Sequence, residues 1–185
     1  QSQSLRVRGE NAFAQVEKIN TELVTLTYGG IVTQLLKDYE NVSQVNEQLL
    51  KMGYNIGVRL IDELLSVSGV GRCTDLAETA EVIGKVGFKM FLGVSATVGN
   101  WSSDKKEFSL ILEECPLVNF VQVPDEFVGK LDYCNLLCGV INGALEMVQL
   151  VVESKIVKSL LRGDNCLEIR VFFKEYLQDE VPIGD

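Results

Sequence analysis

Two glycine pairs, Gly53-x-x-x-Gly57 and Gly139-x-x-x-Gly143, stand inside stretches whose apolar residues otherwise recur at helical spacing. A glycine in a helix interior costs on the order of 1 kcal/mol relative to alanine. A fold that keeps four of them must therefore use the space they leave. Gly29, Gly30, Gly84 and Gly87 raise the same question in neighbouring helical patterns. Two readings are open: the missing side chains let helix backbones approach closely, or some of them leave a channel through the apolar interior.

The helical patterns are three, then one more. Val24, Tyr28, Ile31, Leu35 and Tyr39 predict a first helix, with Asn20 or Thr21 as N-cap. Val45, Leu49, Met52, Ile56, Leu60 and Leu64 predict a second over 43–66, ending at Gly69. Asp75, with Glu78 three residues on, has the form of a relative of the capping box and starts a third that runs to about Leu92. The period then changes. "EFSLILEE" alternates, and "LVNFVQV" lies between Pro116 and Pro124, so both read as strands. A long helix is expected over 131–161, stopped by Gly163, and "CLEIRVFFKEYL" reads as a half-buried strand. The fold class expected is α+β, with a small antiparallel sheet packed on four or more helices. At 185 residues one domain is expected, over 20–178, with a polar leader at 1–19 and an acidic tail at 179–185.

Composition narrows the chemistry. With 26 acids against 17 bases the net charge is −9, which opposes attraction to nucleic acid, so no nucleic-acid partner is expected. No apolar run approaches the roughly 20 residues of a membrane span, and "QSQSLRVRGENAF" has no secretory apolar core, so an intracellular chain is expected. Five scattered cysteines then read as reduced thiols, and the sequons at Asn41 and Asn100 as chance matches. The absence of histidine removes Ser-His-Asp and Cys-His nucleophilic sites and imidazole-ligated zinc. No metal or nucleotide cofactor is expected: Cys134 and Cys138 have no second pair at ligand spacing, and "GVGRCT" fails the dinucleotide fingerprint.

What remains is Cys73. It stands two residues before the Asp75 N-cap and beside Arg72, where the helix dipole and the guanidinium should lower its pKa and favour acylation or oxidation. A small apolar residue tucked under a turn is the alternative. Lys85 and Lys89, four apart, form with Arg72 either a basic surface spot or part of an ordinary solvated face.

"INTELVTLTYGGIVTQLLKDYE", "MGYNIGVRLIDELL", "GRC", "ETAEVIGKVGFKMFLGV", "NWSSDKKEFSLILEECPLVNFVQVP", "NLLCGVINGALEMVQL", "LRGDNCLEIRV" and "DEVPIGD" resemble, in order and spacing, the Bet-three family of small subunits of TRAPP, the transport protein particle. The resemblance runs from about residue 17 to the end. It implies the α+β fold of small TRAPP subunits, which form heterodimers with other small TRAPP subunits through their helices. It implies a core scaffold role in ER-to-Golgi vesicle tethering, with no catalysis by this chain alone. In that family the complex is a guanine-nucleotide exchange factor for a Rab GTPase, and this subunit also contacts a vesicle coat component. The location implied is cytoplasmic, peripheral at cis-Golgi and ER–Golgi membranes. The family's cysteine in the Gly-Arg-Cys context carries palmitate as a thioester inside a hydrophobic channel; Cys73 matches it, and Gly87 matches a small channel-lining residue. "DEVPIGD" matches the tail that reaches the GTPase, with Glu180 and Asp185 as its acidic candidates. Membrane contact is then only peripheral, through a surface such as the basic spot. Leu64 and Val67 in "DELLSVSG", Gln122, and the end of the tail depart from the family pattern. An acyl-chain-binding module that carries or senses lipid is the alternative function.

Overall fold

Asparagine caps start the first two expected helices in the computed structural model, which describes residues 2–177. Asn20 Oδ1 accepts from Leu23 N at 3.1 Å and opens α2 (Thr21–Asp38); Asn41 Oδ1 accepts from Ser43 N at 2.9 Å and opens α3 (Val42–Ser68). Gly69, at φ 60°, ends α3 in the left-handed conformation that glycine adopts without strain.

The buried face of α3 is not the predicted stripe. It is Val45, Leu49, Gly53, Gly57, Ile61 and Leu64, whereas Ile56 is 39% exposed. The glycines themselves are the contact. α3 crosses α6 (Asn135–Glu146) there, and a Cβ on Gly53 or Gly57 would overlap the carbonyl oxygens of Leu136 or Val140. A Cβ on Gly139 or Gly143 would overlap those of Leu50 or Tyr54 in return. Of the two readings of the glycines, close approach is the one realised at these four positions.

The third helix forms as α4 (Leu76–Val82), one π turn (Ile83–Gly87) and α5 (Phe88–Leu92). Gly84 O accepts from Ala96 N at 2.8 Å at the π turn, and so holds the approach to β1 (Thr97–Gly99). β2 (Glu107–Leu112), β3 (Leu150–Lys158) and β4 (Leu167–Tyr176) complete an antiparallel sheet in the order β1-β2-β4-β3. Phe108 pairs with Val171 and Leu110 with Ile169, and all four are fully buried in one apolar core, where α6 packs on β3 and α3 packs on α6. The expected α+β class, with a small antiparallel sheet packed on helices, is the observed one.

Four segments differ from expectation. The polar leader expected at 1–19 contains a helix, α1 (Ser2–Gln15), which docks through Gly9 and Ala12, residues too small to register as an apolar stripe. The long helix expected to run to 161 stops at Glu146. Gln149 turns the chain at φ 69°, and the β-branched run Val151, Val152, Ile156 and Val157 enters β3 instead. "LVNFVQV" forms a short 3₁₀ turn (Pro116–Val118) and a loop with Phe120 at φ 63°, because its prolines and this turn keep it out of any ladder. β1, three residues long, carried no pattern. The acidic tail lies outside the described residues.

Gly57→Ala is expected to destabilise the fold by about 3 kcal/mol through backbone overlap, lowering the melting temperature by roughly 6–12 °C for a chain of this size. Gly30, in α2, meets nothing within 4 Å. Gly30→Ala is therefore expected to stabilise by about 1 kcal/mol through helix propensity. Thermal melts of the two variants beside the parent check both signs.

Candidate functional site

Between the end of α3 and the start of α4, residues 69–75 form a loop held at both ends. Arg8 Nη1 of α1 donates to Gly69 O at 2.7 Å. Asp75 Oδ1 accepts from Glu78 N at 2.8 Å, and Glu78 Oε2 reaches back to Thr74 N and Oγ1 at 2.7 and 2.9 Å. This is the expected relative of the capping box, with the returning carboxylate one residue earlier than usual.

Cys73 is half-buried on the inner side of that loop, on a cavity of about 610 Å³. Ile61 and Leu64 of α3, Val82 and Ile83 of the third helix, and Leu145 and Leu150 from the end of α6 and the start of β3 give the cavity apolar walls. That volume is within the range of small-molecule sites, roughly 300–1,000 Å³. Met147 and Tyr176, 54% and 60% exposed, stand at its mouth. Cys73, Val67 and Val70 pack against a second apolar cluster of Ala12, Ile61, Leu64, Val82, Val86 and Met90.

The electrostatics overturn one expectation. Burial pushes the Cys73 thiol above its ordinary value, the Glu78 and Asp75 carboxylates push the same way, and a hydrogen bond with Thr79 only partly opposes them. The side chains that cap α4 thus place two negative charges where the helix terminus was expected to favour a thiolate. Arg72, also on the cavity wall, does not reverse this.

The remaining predicted residues are dispersed. Lys85 pairs with Glu81, and Lys89 with Glu10 at 3.1 Å and with Gly93 O at 3.3 Å, so carboxylates stand beside both ammonium groups expected in the basic spot. Arg72 shares a second cleft with Glu78 and Glu81. Gly87 is in the π turn and is not on the wall of the 610 Å³ cavity; a Cβ built there meets open space. Glu180 and Asp185 lie outside the described residues. Ile61, Thr79, Val82, Leu145 and Leu150 are wall residues that sequence reasoning did not single out. Their spacing is that of ordinary core positions, and only the fold brings them to one thiol. Among the described residues no cluster of three or more acidic, cysteine or histidine side chains is placed to hold a metal ion. No helix among them is long and apolar enough to cross a membrane.

Comparison with known proteins agrees with this geometry. The family model described as "Transport protein particle (TRAPP) component" matches residues 24–172. Trafficking protein particle complex subunit 3 of Dictyostelium discoideum is 58% identical over 176 residues, 95% of each chain. Trafficking protein particle complex subunit BET3 of Saccharomyces cerevisiae is 49% identical over 187 residues, covering all of this chain and 97% of that one. A crystal structure of trafficking protein particle complex subunit 3 from Naegleria fowleri, covalently bound to palmitic acid, superposes with a TM-score of 0.85 at 53% identity, covering 88% of this chain and 100% of that one. The helix–sheet architecture, the walled Cys73 loop and these similarities together establish that the chain belongs to the TRAPP component family.

Proposed function

We propose that this chain is a core scaffold subunit of a TRAPP complex, and that Cys73 carries a thioester-linked palmitoyl group whose hydrocarbon fills the adjoining cavity. The observation that carries the reading is a half-buried thiol opening on an apolar cavity of about 610 Å³, in a chain 53% identical to a relative crystallised with covalent palmitic acid.

The residues suit such a group. Ile61, Leu64, Val82 and Leu150 would surround the chain, and burying about fifteen carbons beyond the carbonyl at ~0.8 kcal/mol each is worth at most about 12 kcal/mol. A chain so buried is not available to a bilayer, so the lipid acts as a structural ligand. Acylation transfers the acyl carbon from an activated donor to Cys73 Sγ, and the thiol proton leaves with the displaced group. With burial and the Glu78 and Asp75 carboxylates holding its pKa above the ordinary thiol value, Cys73 is mostly protonated at neutral pH, so this transfer is slow unless the acyl chain is first held in place. Burial then keeps water from the finished thioester.

The scaffold role rests on other surfaces. Leu23 and Leu26 on α2 are 61% and 70% exposed, and Phe120 is 81% exposed, an apolar face suited to pairing with other small TRAPP subunits. Within the assembled complex the chain would contribute to vesicle tethering between endoplasmic reticulum and Golgi, to contact with a vesicle coat component, and to nucleotide exchange on a Rab GTPase. Exchange would be conformational, through the tail with Glu180 and Asp185, and the chain would act peripherally at these membranes without catalysing a reaction alone. Arg72, with Lys85 and Lys89 in their ion pairs, is proposed as the membrane-facing basic spot, and Gly87, off the wall of the cavity, would line the channel only where the acyl chain runs on past Ile83.

Intact mass is expected to show one palmitoyl increment that hydroxylamine removes and that Cys73→Ser lacks. An unmodified mass, or a fatty acid that exchanges without hydroxylamine, would replace the thioester with a lipid-carrying module. In the deacylated protein, iodoacetamide labelling of Cys73 is expected to keep rising beyond pH 9, because a raised pKa leaves thiolate still accumulating there. A labelling midpoint below pH 9 would contradict the charge arrangement of the loop. Co-expression with sibling small subunits is expected to give stable heterodimers, and Leu23→Asp with Leu26→Asp to abolish them; exchange on a Rab GTPase should need the assembled complex.

A further inference from the structure

The loop that carries Cys73 is a thin wall between two cavities. Val70, Gly71, Arg72, Thr74, Asp75 and Val82 face both the 610 Å³ acyl-type cavity and a second cleft of about 540 Å³. The far side of that cleft is α1, through Ser4, Leu5 and Arg8. α1 thus forms one wall of that cleft, while Gly71, Arg72, Thr74 and Asp75 on the loop stay exposed.

α1 docks on α3, α4, the π turn and α5 through small and half-buried residues. Its buried row is narrow: Gly9 lies against the Lys85 carbonyl of the π turn, Ala12 is 1% exposed, and Leu5 and Val16 are half-buried beside it. Val7, by contrast, is 57% exposed. Two polar latches complete the docking, Arg8 to the Gly69 carbonyl and Glu10 to Lys89 at 3.1 Å, with Phe13 beneath the Lys89 ammonium, 5.3 Å from the ring centroid. A helix of 14 residues with so little burial has marginal stability once it leaves its neighbours. It is drawn from the part of a fold that opens below the global unfolding free energy.

We propose that α1 is a docked strap that controls access to Cys73: docked, it fixes the 69–75 loop through Arg8 and holds Cys73 half-buried on its cavity; undocked, it frees the loop to swing and expose the thiol. This rests on the reading of Cys73 as the functional residue, and adds that exchange of whatever occupies it is gated by α1 and by the charges that hold α1 down. Because both latches involve charged groups that are partly exposed, salt weakens them.

The test uses the full chain after hydroxylamine treatment, with iodoacetamide labelling of Cys73 read by peptide mass spectrometry and amide hydrogen exchange over residues 5–14 read in parallel. Arg8→Ala with Glu10→Gln removes both latches and is expected to speed Cys73 labelling about tenfold, equivalent to about 1.4 kcal/mol of lost docking, while buried Cys138 stays unlabelled. Exchanging the charges, Glu10→Lys with Lys89→Glu on an intact Arg8, is expected to return labelling to near the parental rate. In the unmutated protein, raising salt to about 1 M, where the Debye length is about 3 Å, should speed labelling and α1 exchange together. The proposal is overturned if the latch variant exchanges α1 amides faster yet labels Cys73 at the parental rate, or if neither latch removal nor salt changes either readout. Labelling reports a bare thiol, so it stands or falls independently of acylation, which intact mass decides separately.

Discussion

The contact on which the rest of the structure depends is the crossing of α3 and α6 at four glycines. Where Gly53 and Gly57 lie on the backbone of residues 136–140, and Gly139 and Gly143 on that of residues 50–54, no side chain separates the two helices. That distance sets how deeply α6 sits on the sheet. It also determines where each helix resumes normal side chains: Ile61 and Leu64 just beyond the crossing on α3, Leu145 just beyond it on α6. Two helices pinned together at one point and bearing bulky residues past it leave a wedge of space between them. The cavity beside Cys73 is that wedge, walled by the third helix and by the first residue of β3.

The loop across the mouth of the wedge shows how one set of side chains serves stability and sets reactivity. Asp75 and Glu78 satisfy amide groups that a helix start leaves without partners. The same carboxylates discourage a thiolate at Cys73. A cysteine in this setting is suited to keeping a bond once made and poorly suited to rapid turnover, unlike cysteines whose helix terminus stands uncompensated. The capping chemistry thus favours a lasting attachment, in keeping with an apolar wedge that rewards occupancy.

Much of this was legible in the residues, and the exceptions have physical causes. The starts of α2 and α4 and the end of α3 followed from Asn20, Asp75 and Gly69, because caps are local chemistry, whereas the Asn41 cap of α3 appears only in the structure. β2 and β4 followed from alternation along the sequence, although Ser109 and Glu168 on the opposite face are buried as well. The stripe on α3 was misplaced because hydrophobic counting passes over glycine, and the buried face there is made of glycine. α1 was missed for the same reason at Gly9 and Ala12. β3 was absorbed into a helix because its period is ambiguous over nine residues, and Gln149, which turns the chain at φ 69°, gives no compositional sign. Cys73 was identifiable as a candidate; the direction of its pKa shift was not, since the sign depends on burial and on two carboxylates acting together. The cavity wall is assembled from distant segments and has no signature in any one of them.

The π turn at Ile83–Gly87 fixes something further about this chain. Such a turn is an ordinary helix with one residue too many, and the surplus lets Gly84 O turn aside to hold Ala96 N. The turn absorbs the surplus, so that Phe88 and Met90 beyond it still face inward while Lys89 reaches Glu10. Loss of that one residue would leave a regular helix in the same phase, but Gly84 O would return to its own helix and release Ala96 N. A gap between residues 83 and 87 in any homologue should therefore mark a third helix that no longer holds the approach to β1.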